Sequence, residues 1–414
     1  MTWEDSFRPF ANSGFRYFIV GRTVMLFGNA MAPVAVAFAV LHIGGGPSGL
    51  GLVLAARSIP QVVFLLFGGV IADRFARHHV LIVAGTLSGV AQAGAAALVI
   101  SGNATVAGLM VIEAIQGIVA AFTFPAMQAM VPLLIPERDQ WQQANALAAA
   151  GRTMAFMVGP AVGGILVATV GAGWGLGANA MTYLVGAAVF ARLRLASRHR
   201  AAPMSMIREL SQGWSEFVSR TWVWVVVLAF GVLNAIHAGA WFTLGPVIAD
   251  STFGPDGWGL VLAAEGAGAM VGIVLLLRLR WRHPMRVGML GAAVLALPMA
   301  VLGWSPGVLI LALAALLAGV GLELFSVNWE TSLQQHVPID RLSRVASYDA
   351  LGSFVALPVG QVIAGPLAGL VDVRRVVIGG AILYAVVAVA TMAVPAVWRL
   401  TAGTAEPVPE NVPT

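Results

Sequence analysis

The sequence predicts an all-α membrane protein of twelve transmembrane helices arranged as two pseudo-symmetric six-helix halves. Three observations lead there. Apolar residues make up 59% of the chain and charged residues 10%, against roughly 25% charged in a soluble domain. Twelve apolar runs each approach or exceed the ~20 residues that a bilayer crossing takes. The longest polar stretch falls at mid-chain, and patterns before it return after it.

The runs lie at about 15–41, 49–72, 80–100, 104–131, 142–168, 172–193, 221–248, 257–278, 285–303, 307–334, 344–371 and 375–397. Turn chemistry separates them: Gly44-Gly45-Gly46-Pro47, Ser101-Gly102-Asn103, Gly171-Ala172-Gly173, Gly254-Pro255-Asp256-Gly257 and Ser305-Pro306-Gly307. The fifth run carries Gly159-Pro160-Ala161-Val162-Gly163-Gly164 and the eleventh Gly365-Pro366-Leu367-Ala368-Gly369, about half a chain later. The predicted organisation is a first half at 1–193, a linker at 194–220, a second half at 221–398 and a tail at 399–414. Within the linker, Met206 to Val218 reads as an amphipathic piece lying on the membrane surface. Repeated halves around a central linker suit a carrier that works by alternating access.

Arginine sets the orientation. One side holds Arg8, Arg74, Arg77, Arg138, the run Arg192 to Arg220, Arg278 to Arg286, Arg341, Arg344 and Arg399. The opposite loops hold only Asp250, Asp256 and the pair Arg374 and Arg375, which Asp372 partly offsets. The positive-inside rule then places both termini in the cytoplasm. Trp222, Trp224, Trp258 and Trp398 fall near predicted helix ends and read as interfacial anchors.

Composition also excludes. All 23 basic residues are arginine, and without lysine there is no Walker A loop and no lysine Schiff base, which removes ATP-driven pumps and retinal proteins. Zero cysteine removes disulfides, Fe–S clusters and thiolate metal sites. The +5 net charge is no nucleic-acid signal, because the arginines cluster in loops. No cofactor or metal is expected. The first twelve residues are charged and amphipathic, without the apolar core of a cleavable signal.

Gly69-Val70-Ile71-Ala72-Asp73-Arg74-Phe75-Ala76-Arg77 joins the second and third runs. An Asp-Arg pair is expensive near hydrocarbon and is not needed for topology. Asp73 can meet a helix N-terminus across the molecule, with Arg74 and Arg77 adding charge-assisted hydrogen bonds, to lock the outward-facing state. In the fifth run, Gly159, Pro160, Gly163 and Gly164 permit close helix approach and a bend. The spacing G-x-x-x-D-R-x-x-R resembles the loop between helices 2 and 3 of major facilitator superfamily transporters, with Ala76 and His78 departing from it. The Gly159–Gly164 segment resembles the antiporter motif of the drug-exporting members, with Ala155 in place of its leading glycine. Asn12-Ser13-x-Phe15-Arg16, Ala144-Asn145-Ala146-Leu147, Trp329-Glu330-Thr331 and Arg344-Val345-x-Ser347-Tyr348-Asp349 resemble the bacterial branch that contains the enterobactin exporter and macrolide-efflux carriers. That resemblance spans essentially the whole chain. It implies a monomeric exporter in the bacterial inner membrane, driven by the proton gradient. Many members carry an acid after the glycine corresponding to Gly28; here Asn29 stands in its place.

Glu113, Glu265 and Glu323 fall far from the predicted helix ends. A carboxylate there is costly when charged, which suits binding and release of a proton. Each could instead be a neutral acid or one member of a salt bridge. Glu113-x-x-Gln116-Gly117 resembles the superfamily's helix-4 motif with acid in place of base, so Glu113 either takes over proton binding or partners Arg57 or Arg152. Glu330 and Asp349, nearer the arginine-rich side, are gate candidates. Asn29, Arg57, Phe122, Phe124, Met127, Arg152, His237, Trp241 and Trp329 are candidates to line the substrate cavity, since flat aromatics and flexible methionines suit variable apolar ligands.

The expected activity is proton-coupled export of a lipophilic drug, antibiotic or siderophore-like metabolite. Its rivals are a lipid flippase, an importer of small solutes, or a membrane receptor that transports nothing. A polar-solute importer would carry more mid-membrane polar groups. An enzyme would need a clustered acid, base and nucleophile, yet His78, His79, His199 and His283 lie in predicted loops without paired metal-ligand spacing.

Overall fold

In the computed structural model, residues 7–72, 76–128, 130–137, 140–193, 214–215, 217–279, 281–304, 307–337 and 339–401 are described. Asp73 and Arg74 of the predicted lock, most of the linker and nearly all of the tail lie outside the described residues.

The chain enters α1 (Ser13–His42) through Asn12, whose side chain accepts from the Phe15 N–H at 3.1 Å and donates to the Leu134 carbonyl at 2.7 Å. An Asn cap of this kind satisfies a donor that the first helical turn leaves open. There follow α2 (Gly46–Ala72), α3 (Arg77–Ile100), α4 (Val106–Gln128), α5 (Trp141–Val170) and α6 (Ala172–Phe190). The second set is α7 (Thr221–Asp250), α8 (Gly254–Arg278), α9 (Pro284–Trp304), α10 (Val308–His336), α11 (Ile339–Phe354 with Leu357–Leu370) and α12 (Val373–Met392). Ten stretches among the described residues are long and apolar enough to cross a membrane, and they fall on all of these helices except α2 and α6.

Three helices are interrupted, each next to a proline. A proline inside a helix removes one hydrogen bond and its ring crowds the carbonyl four residues earlier. The first part of α9 ends at Val294, four residues before Pro298, and the first part of α11 ends at Phe354, four before Pro358. In α7 a π-turn over Ala238–Thr243 precedes Pro246, and the Thr243 hydroxyl donates to the Ala238 carbonyl at 2.9 Å. The uninterrupted hydropathy of runs seven, nine and eleven hides these breaks.

Packing is organised by glycine. Helix α1 lies against α5 and α6, α2 against α4, and α3 against α4 and α6. In the second set α7 lies against α11 and α12, α8 against α10, and α9 against α10 and α12. The sets meet along two seams, α5 with α8 and α2 with α11. A Cβ at Gly319 of α10 would stand 1.9 Å from the Glu265 carbonyl of α8. Backbone cannot move aside as a side-chain tip can, and overpacking of this kind costs about 1–3 kcal/mol. Gly319→Val is therefore expected to lower the melting temperature of the detergent-purified protein. An unchanged melt would show that α8 and α10 do not approach this closely.

The seams are tight in the part of each helix remote from the arginine-bearing end. At Gly164 a Cβ would meet the Pro255 carbonyl at 2.4 Å, and at Gly259 the Pro160 carbonyl at 2.4 Å. The other seam repeats this, with Gly365 against the Ser48 Cα (2.4 Å) and Gly51 against the Gln361 carbonyl (2.1 Å). The His42 Nε2 and Asp250 Oδ1, 3.3 Å apart, tie α1 to α7 at the same end. Two tryptophans read as interfacial anchors are instead core. Trp222 is packed edge-on against Trp329, and Trp258 lies 4.9 Å from the fully buried Trp241. Position near a helix end did not decide their role, because the face they occupy points inward. Trp398 remains half exposed with the Arg286 guanidinium over its ring, and Trp214 and Phe217 of the linker reach Tyr348 of α11.

Candidate functional site

Polar side chains from five helices converge at mid-membrane in the first set. Arg57 of α2 places Nη1 3.4 Å from Glu113 Oε2 of α4 and donates through Nη2 to Asn29 Oδ1 of α1 at 2.9 Å. The Tyr183 hydroxyl of α6 donates to the same Asn29 oxygen at 3.2 Å, and Gln92 Nε2 of α3 stands 3.4 Å from Glu113 Oε1. Below it Gln116 donates to the Ser88 carbonyl at 3.2 Å. The Glu113 side chain keeps 4% of its surface exposed and that of Arg57 23%, so the carboxylate is sealed while the guanidinium borders an opening. Close packing fixes the cluster. A Cβ at Gly117 would stand 2.0 Å from the Arg57 carbonyl, and one at Gly28, beside Asn29, would collide with Thr182.

The second set holds a carboxylate of another kind. Glu265 of α8 accepts from the Trp241 indole at 3.2 Å, and no cation lies within salt-bridge distance of it among the described residues. Trp241 sits in the π-turn of α7, with the His237 ring stacked 6.3 Å away and Tyr384 of α12 beyond His237. Local widening at Ala238–Thr243 is what brings this indole onto α8, in keeping with the frequency of π-turns at functional positions. Towards the arginine-bearing end, the Trp329 indole donates to Asp349 Oδ2 at 2.9 Å and the Ser353 hydroxyl to Asp349 Oδ1 at 3.2 Å. Phe230 stacks on Phe325 at 3.9 Å, and Phe325 on Trp329 at 6.0 Å. Glu323 interacts electrostatically with Arg152 across the α5–α10 gap and with Glu330 on its own helix.

The expected residues thus separate. Asn29, Arg57 and Glu113 form one network, Trp241, His237 and Glu265 a second, and Trp329 and Asp349 a third. Trp241 is fully buried against Trp258 rather than facing an open cavity. Phe122 stands 6.2 Å from Phe64, Met127 packs on the core around Phe15, and the Phe124 side chain lies outside the described residues. Gly69 lies in the last turn of α2 and Arg77 opens α3. Gly159 and Gly163 face α1, where added Cβ atoms would meet Ala30 at 2.7 Å and the Met31 carbonyl at 3.0 Å, while Gly164 and Pro160 face α8. Gly360 and Gly365, 201 residues after Gly159 and Gly164, make the matching contacts with α7 and α2. The repeat therefore aligns Gly159 with Gly360, and the two Gly-Pro steps are not equivalent.

A family model described as transmembrane secretion effector matches residues 4–412. The chain belongs to that family, within the major facilitator superfamily. It is similar to the multidrug efflux pump Tap of Mycobacterium tuberculosis, 26% identical over 372 residues that cover 86% of this chain and 88% of Tap. Macrolide efflux protein A of Streptococcus pyogenes is 23% identical, covering 86% of this chain and 89% of its own. The enterobactin exporter EntS of Escherichia coli is 25% identical, covering 86% and 85%. Among solved structures, the nucleoside transporter NupG superposes with a TM-score of 0.73 at 14% identity, covering 92% of this chain and 98% of NupG. A bacterial homologue of the lysosomal transporter Spinster, inward-facing and unoccupied, gives 0.64 at 14% identity, covering 92% and 96%. These last two show the fold alone. Family and relatives are transporters rather than enzymes, and this is a multi-pass membrane protein.

Within this major facilitator chain the departures at Asn29 and Glu113 explain one another. The acid expected after Gly28 is absent, and an acid stands instead where the α4 motif usually has a base. Arg57 meets both positions, with its counter-charge supplied by Glu113 of α4 and a neutral acceptor by Asn29 of α1. Gln92 and Tyr183, which complete the network, escaped the sequence reading. A neutral polar residue in an apolar helix belongs to no motif, and only its isolation there marks it.

Proposed function

We propose that this chain is a twelve-span secondary exporter of lipophilic drugs, antibiotics or siderophore-like metabolites, working as a proton antiporter by alternating access. In this reading α2 and α6 also cross the bilayer, residues 1–193 and 221–398 form the two halves, and the arginine-bearing end faces the cytoplasm of a bacterial cell. The duplicated seams and the duplicated packing of α1–α6 and α7–α12 support it. Closure of the far end at both seams is what a carrier open towards the cytoplasm would need. Export rests on the relatives, whose names describe multidrug, macrolide and enterobactin efflux. The loop carrying Gly69, Asp73, Arg74 and Arg77 would close the cytoplasmic end in the opposite state, with Glu330 and Asp349 at the gate.

The observation that carries proton coupling is Glu265, a mid-membrane carboxylate with an indole donor and no counter-charge among the described residues. Glu113 has Arg57 as its partner and serves the network around Asn29. Taking up a proton removes an uncompensated charge from Glu265, and releasing it restores that charge, so each step biases the transporter between its two states. Inside-out vesicles holding the wild-type protein are expected to release protons when a macrolide or a catecholate siderophore is added. Glu265→Gln should abolish that release while substrate still binds. Proton release that persists in Glu265→Gln and vanishes in Glu323→Gln would move coupling to Glu323. Substrate movement without any proton release would remove antiport from the reading.

A further inference from the structure

Arg374 and Arg375 break the charge asymmetry of the rest of the chain, and nothing in the transport cycle uses them. They open α12 at the end remote from the other arginines. Asp372 caps that helix, its Oδ1 accepting from the backbone N–H of Arg374 at 3.0 Å and of Arg375 at 3.2 Å. The carboxylate is thereby engaged with the backbone, and neither guanidinium is paired with an acid among the described residues.

Arg375 stands at one mouth of a groove of about 460 Å³ between α7, α11 and α12. Ile236, Gly239, Ile363, Leu367, Gly379 and Leu383 form much of its wall, and Arg375 alone among the lining residues is charged. The volume lies within the ~300–1,000 Å³ typical of small-molecule sites. At about 1.5 Å per residue, the lining runs roughly 12 Å along α12 from Arg375 to Leu383 and roughly 18 Å along α11 from Val359 to Val371. That is close to half of the ~30 Å hydrocarbon core, one leaflet deep. Val359, Ile363 and Leu383 are each about half exposed, so the groove opens sideways to the bilayer. Glycine makes the space, since a Cβ at Gly379 would meet nothing within 4 Å.

We infer that this groove holds an acyl chain of an anionic phospholipid, with the lipid phosphate on Arg375. The walls offer an acyl chain apolar contact over one leaflet, and the guanidinium fork suits phosphate geometry at headgroup depth. A neutral lipophilic substrate would fit the walls and leave Arg375 without a partner. The net anionic headgroup adds attraction to both Arg374 and Arg375 that a zwitterionic one offsets with its own cation. The bound lipid would brace α7 against α11 beside the α2–α11 seam. The inference goes beyond the export reading and does not depend on the transported substrate.

The test is native mass spectrometry of the full chain, delipidated and then given equal amounts of phosphatidylglycerol and phosphatidylcholine. The wild type is expected to retain phosphatidylglycerol in about tenfold excess, the factor that about 1.4 kcal/mol of attraction not offset by a headgroup cation supplies. Arg375→Gln should cut the excess severalfold, and Gly379→Leu should reduce retention of both lipids while melting like the wild type. Should Gly379→Leu misfold, Ile363→Trp fills the groove from its other wall. Preference that is undiminished in Arg375→Gln overturns the inference. Competition by glycerol phosphate as effective as that of the whole lipid overturns it too, by leaving the groove empty of chain. Loss of binding of a fluorescent lipophilic substrate in Gly379→Leu, with phosphatidylglycerol retained, would make the groove a substrate site instead.

Discussion

Arg57→Ala is expected to destabilise the folded transporter by about 3–5 kcal/mol, the cost of breaking a buried ion pair from one side. Removing the guanidinium leaves the Glu113 carboxylate sealed, with Gln92 as its remaining hydrogen-bond donor. It also takes a donor from Asn29, which keeps only the Tyr183 hydroxyl. Glu113→Gln should cost less, because the charge then left behind belongs to the partner that still borders an opening. The double exchange Arg57→Met with Glu113→Leu should lie within about 2 kcal/mol of wild type, since apolar replacement of a whole buried pair is often neutral. Denaturant titration in mixed micelles of the wild type, Arg57→Met, Glu113→Leu and the double exchange gives the four corners of a closed cycle. Strict additivity would mean that the two side chains do not interact in the folded protein, and the network described around Asn29 would be wrong.

What the sequence conveys here follows the reach of each signal. Apolar runs report helices well, because burying a span in lipid requires nearly every residue of it to be apolar; the ten spans fall where the runs lie. The breaks in α9 and α11 were legible in Pro298 and Pro358 yet invisible to hydropathy, which averages over them. Pairing is harder. Glu113 had two possible partners, Arg57 and Arg152, and only the packing of α2 on α4 at Gly117 selects the first. Gln92 and Tyr183 carry no charge or spacing that marks them, so they emerge only when five helices are brought together. Trp222 and Trp258 mislead for a related reason: depth along a helix is readable from sequence, whereas the neighbour its face meets is set by tertiary packing.

The Gly159–Gly164 segment gives the larger effect on transport. Gly164 lies against the Pro255 carbonyl and the Asp256 and Gly259 Cα atoms, contacts that the opening proposed for this end of the α5–α8 seam would break. Gly164→Leu is expected to overpack the shut state by about 1–3 kcal/mol and to leave the state open at this end unstrained. The population ratio of the two states should then shift roughly 5- to 150-fold towards opening. Transport should fall by a similar factor, because a carrier that cannot reseal its far side cannot complete the cycle. The chain contains no cysteine, so spin labels at Thr169→Cys and Ser251→Cys report this end without background. Electron–electron distances between them should lengthen in Gly164→Leu and in the equivalent Gly365→Leu. They should stay unchanged in Gly94→Leu, where a Cβ has open space. Lengthening in Gly164→Leu alone would mean that the two seams do not move together. Unchanged distances in both, with transport intact, would show that these glycines only shorten the helix–helix distance and do not gate.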